Sequence, residues 1–95
     1  MKRPAVYIMA SAPNGTLYTG VTSDLVGRVW RHREGVTPGF TKRHGCKRLV
    51  WFELHETMEG AIGREKRIKA GSRPKKKVLI DTMNPEREDL YSSSF

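Results

Sequence analysis

Cysteine is almost missing from this 95-residue chain, and the single Cys46 excludes an internal disulfide framework and any zinc site built from a cysteine cluster. A reducing, cytoplasmic setting fits that usage. No apolar run approaches the length needed to span a bilayer, and Lys2-Arg3 are followed by no long apolar stretch of a leader sequence. The expectation is a soluble cytosolic protein with no membrane partner. Acidic residues are also scarce: 10 Asp plus Glu stand against 18 Lys plus Arg, a formal net charge of +8. That balance disfavours cationic partners and raises the prior for a polyanion such as nucleic acid. There is no internal repeat, no glycine-rich phosphate loop and no linker long enough to separate domains, so residues 1–95 read as one domain with a small core. Its body is expected over about 5–83, with 84–95 as a C-terminal extension.

What is present is concentrated between Ala5 and His32. AVYIM, a Pro13-Asn14-Gly15 turn, LYTGVTSD and LVGRVWRH read as strand, turn, strand and helix. Asn14-Gly15 is a two-residue hairpin signal, because both central residues of the favoured turn need positive φ. Such a loop pairs Tyr18 with Ser11, and strand alternation puts Ser11, Met9 and Tyr7 on one face. Tyr7 and Tyr18 then look the same way, whereas a three-residue loop would separate them. Each tyrosine alone is equally explained as a half-buried strand residue.

Thr22-Ser23-Asp24 supplies N-caps for a helix whose apolar stripe is Leu25, Val26, Val29 and Trp30. Arg28 and His32, four apart, stack on one flank of it. The segment EGVTPGFTKRHGCK, residues 34–47, reads as a loop. In it Phe40 stands beside Lys42 and Arg43, either as a stacking and phosphate contact for nucleic acid or as a satellite core residue. A third strand follows over Arg48 to His55, with Trp51 and Phe52 on opposite faces. Thr57 opens a second helix that ends at Gly71, and Met58, Ala61, Ile62 and Ile68 form its stripe. Glu65 falls inside that stripe, where a carboxylate is costly unless it is paired or holds a cation. Arg28 and Lys69 are its candidate ion-pair partners. Ser72 caps a third helix containing Pro74 and the solvated run Lys75-Lys76-Lys77. Asn84-Pro85 marks a turn, after which residues 86–91 form a short helix and 92–95 fray.

In order, Tyr7, Tyr18-Thr19-Gly20, Arg28, His32 and a later helical Glu65 resemble the GIY-YIG nuclease family, in its small single-domain bacterial branch. The match runs on through KRLVWFELHE and AIGREKRIK. Ala-Val-Tyr replaces Gly-Ile-Tyr and Tyr-Thr-Gly replaces the second triplet, both keeping the tyrosine. Lys77 stands where many members carry an asparagine, and Val21 where some carry a lysine. The resemblance implies an α/β (α+β) fold, a small three-stranded, mainly antiparallel sheet flanked by helices. It also implies an endonuclease hydrolysing phosphodiester bonds, with DNA favoured and a repair or recombination setting. Tyr7, Tyr18, Arg28, His32 and Glu65 would be catalytic, and Glu65 would hold a single Mg²⁺ or Mn²⁺. Gly20, Phe40, Lys42, Arg43, Lys66, Lys69 and Lys76 are the expected nucleic-acid contacts. A protein partner supplying specificity is compatible with the absence of a recognition domain. The alternative is a basic nucleic-acid-binding module that keeps the fold without cleaving.

Overall fold

The computed structural model describes residues 2–36 and 38–95. Its centre is β1 (Ala5–Ala10), a strand buried along its whole length because it lies between two neighbours and under helices on both faces. The sheet order is β2-β1-β3, with β2 (Leu17–Thr22) and β3 (Arg48–Leu54) both antiparallel to β1. Alternation divides the core. Val6, Ile8 and Ala10 face one cluster with Trp51, Ala61, Ile68 and Ile80, while Ala5, Tyr7 and Met9 face another with Leu25, Val29, Cys46 and Leu49. Trp51 and Phe52 serve opposite clusters, as their neighbouring positions require.

The hairpin differs from the expected two-residue loop. Ser11 N–H donates to Thr16 O and Gly15 N–H to Ala12 O, each at 3.0 Å, so the turn is the four-residue Ala12-Pro13-Asn14-Gly15. Pro13 explains this: it lacks the N–H a ladder position needs, and its fixed φ suits the second turn residue. Tyr18 therefore pairs with Met9 instead of Ser11. The register moves by two, so parity survives and Tyr7 and Tyr18 remain on one face. On β3 a bulge at Ile8/Met9 leaves Val50 as the extra residue.

Helix α1 (Leu25–Glu34) is capped by Asp24, which accepts from Gly27 N–H, and ends at Gly35 in the left-handed region. Its buried face is Leu25, Val29 and His32; Val26 and Trp30, expected in the stripe, turn outward. Residues 34–47 are not wholly a loop, since Phe40–His44 form a one-turn helix, α2. Five residues between glycines carry too little periodicity to announce a helix. Its end is closed locally by Gly45 in the left-handed region and by Cys46 N–H donating to Thr41 O at 2.8 Å, and Thr41 Oγ1 meets His32 of α1.

Helix α3 (Met58–Ala70) has the expected Thr57 cap and Gly71 end, and buries Ala61 and Ile68. Helix α4 (Arg73–Met83) carries Pro74 in its first turn, but Ser72 makes no side-chain cap bond. Arg73 instead donates to the carbonyls of Asn14 and Gly15, tying α4 to the hairpin.

The end of the chain departs from expectation. The last helix, α5, is Leu90–Ser94, begun by the Asp89 cap, and Phe95 lies 5.8 Å from the Phe52 ring instead of fraying. Arg87 adopts φ 56°, which no helix over 86–91 could contain. Buried Asn84 fixes the strap by donating to Val50 O and Glu88 O and accepting from Glu88 N–H. Asp89 then pairs with Arg33 and accepts from Leu49 N–H.

Candidate active site

The candidate site gathers at the β2 side of the sheet, where α1 covers one face of β1 and α3 packs against β2 and β1 from the other. Tyr7, fully buried in the central strand, points its hydroxyl at His32 on α1, with Oη 2.9 Å from Nε2. The opposite ring nitrogen, Nδ1, lies 2.9 Å from Thr41 Oγ1. His32 and Thr41 are both buried. Burial first, and the nearby Arg28 charge second, push the His32 pKa down, so its imidazole is neutral near pH 7. Burial also pushes the Tyr7 phenol well up, helped by Tyr18 and Glu65 and opposed by the nearby Arg28 guanidinium.

The imidazole bridges two hydroxyls. A neutral imidazole has one N–H and one acceptor nitrogen, so of Nε2 facing Tyr7 and Nδ1 facing Thr41 one donates and the other accepts, and Tyr7 and Thr41 are coupled through the ring. Tyr7, His32 and Thr41 form a buried line supplied by β1, α1 and α2, with half-buried Arg28 of α1 near its Tyr7 end.

Gly20 has a steric task in this arrangement. It pairs with Tyr7 across the sheet, and a Cβ there would meet Tyr7 Cζ and Oη at 2.5 Å. The glycine two residues after Tyr18 leaves room for the Tyr7 ring. Tyr18 lies beside it, 6.3 Å from Tyr7 and 5.7 Å from His32 between ring centroids. Phe40 stacks on Tyr18 at 5.9 Å and meets His44 at 4.3 Å. It is half exposed and covers one face of Tyr18.

From α3, Glu65 brings the negative charge. Its side chain is 12% exposed and pairs with Lys69, Oε2 to Nζ 2.9 Å, so of the two expected ion-pair partners Lys69 takes the role. The Lys69 ammonium also lies 6.0 Å from the Tyr18 ring centroid. Among the described residues no three His, Cys, Asp or Glu side chains are placed to hold a metal ion together. Glu65 alone is a hard oxygen donor of the kind Mg²⁺ uses, since that ion commonly binds one or two carboxylates and completes its shell with water and substrate phosphate. The donor chemistry fits.

Tyr7, Tyr18, Arg28, His32 and Glu65 thus converge, with Gly20, Phe40 and Lys69 around them. Other expected contacts lie apart. Lys42 and Arg43 are exposed on α2, and Lys66 is exposed on α3. Lys76 lines a groove of about 350 Å³ between α3 and α4, on the α3 flank bearing Arg64 and Arg67. Thr41 escaped the sequence reading because only tertiary structure shows that α2 folds back onto His32. A threonine in a glycine-bounded segment carries no such signal.

Comparison with known proteins agrees with this architecture. The family model of the GIY-YIG catalytic domain matches residues 3–78. UPF0213 proteins of Staphylococcus aureus strains Mu50 and N315 are each 40% identical over 75 residues, spanning 79% of this chain and 90% of theirs. A solution NMR structure of a UPF0213 protein from Bacillus halodurans is 30% identical, covers 97% of both chains and superposes with a TM-score of 0.58. Among the described residues no helix is long and apolar enough to cross a membrane. With its sheet order, its tyrosine pair and a match over residues 3–78, the chain belongs to the GIY-YIG catalytic domain family.

Proposed function

We propose that this protein is a metal-dependent endonuclease that hydrolyses phosphodiester bonds in nucleic acid, with DNA the favoured substrate. The observation that carries the reading is the Tyr7 to His32 hydrogen bond, buried and 2.9 Å long, beside Arg28 and within the electrostatic reach of Glu65. A structural tyrosine needs one partner for its buried hydroxyl, which His32 alone satisfies; Arg28 and Glu65 within electrostatic reach go beyond that need.

Phosphodiester hydrolysis requires a proton to leave the attacking water and negative charge to be stabilised on the phosphorus oxygens. Tyr7 Oη takes the water proton while its own proton moves to His32 Nε2, so the phenol never stands as a free phenolate. This matters because its raised pKa makes free ionisation rare near pH 7. The imidazolium that forms keeps its bond to Thr41, and the incoming phosphate offsets its repulsion from Arg28. Arg28 binds the scissile phosphate and meets the charge developing in the transition state. Tyr18, closed in by Phe40, positions the water and the adjacent sugar-phosphate. Glu65 would hold one Mg²⁺ or Mn²⁺, which when bound supplies charge neutralisation at the phosphate and leaving oxygen. Lys42, Arg43, Lys66 and Lys76 attract the backbone more generally.

The test is a cleavage assay with Mg²⁺, Mn²⁺ or EDTA over linear, flapped and branched DNAs and matching RNAs. Cleavage requiring the metal is the expected result. Tight binding with no cut of any substrate under either metal would return the non-catalytic binding module as the better reading.

A further inference from the structure

Glu65 is neutralised from within its own helix. Lys69, one turn on, brings Nζ to 2.9 Å from Oε2 while remaining over the Tyr18 ring. The two partners differ sharply in freedom: the Glu65 side chain is 12% exposed and that of Lys69 51%. The carboxylate is the fixed member and the ammonium the movable one. On the preceding turn Arg64 is held by Glu53 at 3.1 Å and lies over Trp51, so another basic residue of α3 is committed elsewhere. Most pairs of this spacing are surface ornaments of small energy. This one differs because its carboxylate is largely buried and belongs to the catalytic cluster.

A divalent cation and an ammonium compete for the same carboxylate oxygen and repel each other at that distance. On the nuclease reading given above, on which this inference rests, we propose that Lys69 is a resident counter-ion that the metal displaces from Glu65. The freed ammonium swings over Tyr18 to a phosphate of the bound strand. A polyanion at Tyr18 draws Lys69 away and opens the carboxylate to metal, and metal on Glu65 releases Lys69 to the polyanion. Metal and nucleic acid therefore strengthen each other's binding, reciprocally and by the same factor. Lys69 acts as a positioning residue that holds the site closed to metal until substrate arrives.

The experiment is a Mn²⁺ titration read by the electron paramagnetic resonance of free Mn²⁺. It is run on wild type, Lys69→Met, Lys69→Arg and Glu65→Gln, with and without a phosphorothioate DNA duplex that resists cleavage. Thermal melting confirms that each variant is folded, which the exposure of Lys69 favours. Without DNA, Lys69→Met should bind Mn²⁺ about three- to fivefold more tightly than wild type, the upper range for a partly exposed ion pair. It should also lose most of the tightening that DNA gives wild type, while Lys69→Arg behaves as wild type. Equal or weaker Mn²⁺ binding by Lys69→Met, with Glu65→Gln abolishing binding, would overturn the displacement while leaving the nuclease site standing. Absence of any Glu65-dependent Mn²⁺ binding, with or without DNA, would overturn the metal assignment and this inference together.

Discussion

Gly20→Ala isolates the packing on which the site depends. The strand backbone at Gly20 lies outside the left-handed region, so alanine meets no conformational barrier. In an ordinary strand the change would stabilise by roughly 0.5 to 1 kcal/mol, because glycine loses more chain entropy on folding. Here the new methyl would lie 2.5 Å from Tyr7 Cζ and Oη and 2.9 Å from Cε1. Tyr7 is fully buried and tied to His32, so its ring has no open direction in which to move. Overpacking of that kind costs about 1 to 3 kcal/mol, which reverses the sign expected from entropy. For a domain of this size the loss corresponds to a melting temperature lower by roughly 4 to 20 °C. The assay is urea and thermal unfolding of Gly20→Ala alone and combined with Tyr7→Leu, which removes the ring atoms in conflict. In the double variant the alanine should become harmless, giving a coupling of about 1 to 3 kcal/mol. A Gly20→Ala protein as stable as wild type, or more so, would refute the close approach.

Arg28→Ala should raise the His32 pKa toward the ordinary value of 6.5, because the guanidinium is the second cause holding it down; NMR titration of the imidazole reads this directly, and an unchanged or lower pKa would contradict the placement of Arg28. The same depression carries a stability signature: the unfolded chain protonates His32 near 6.5 while the folded chain resists until lower pH, so stability falls as pH drops below about 6.5 and is intact above it. Asn84→Ala should cost about 1 to 3 kcal/mol, since it strands the Val50 and Glu88 groups that Asn84 satisfies. Hydrogen exchange should then quicken at Glu88, and unchanged protection there would argue against the clamp.

Much of this architecture is legible in the sequence because parity is robust. The observed turn is two residues longer than Asn14-Gly15 alone suggests, yet an even shift keeps Tyr7 and Tyr18 on one face, which an odd one would undo. The α3 limits follow from Thr57 and Gly71, whose cap chemistry is local. Glu65 stands out as a carboxylate in the expected α3 stripe and is largely buried, whereas Met58 and Ile62 of that stripe are exposed and only Ala61 and Ile68 are buried. Less visible is whatever depends on distant chain segments. Thr41 is defined by its bond to His32, nine residues earlier, and Asn84 by the Val50 carbonyl, 34 residues away. The outward turn of Trp30 likewise reflects which α1 face the sheet accepts, and a helical wheel drawn from one segment cannot supply that.

The most direct test of the account is Tyr7→Phe, which deletes the hydroxyl bonded to His32 near Arg28 and leaves the buried ring. Single-turnover cleavage and equilibrium binding should be measured on the same preparation with the best substrate of the panel. Loss of a general base predicts a rate lower by about 10²- to 10⁴-fold, with affinity for nucleic acid within about twofold of wild type. A rate that survives the loss of the hydroxyl, or that falls only in step with binding, would contradict the assignment of Tyr7 to the chemistry.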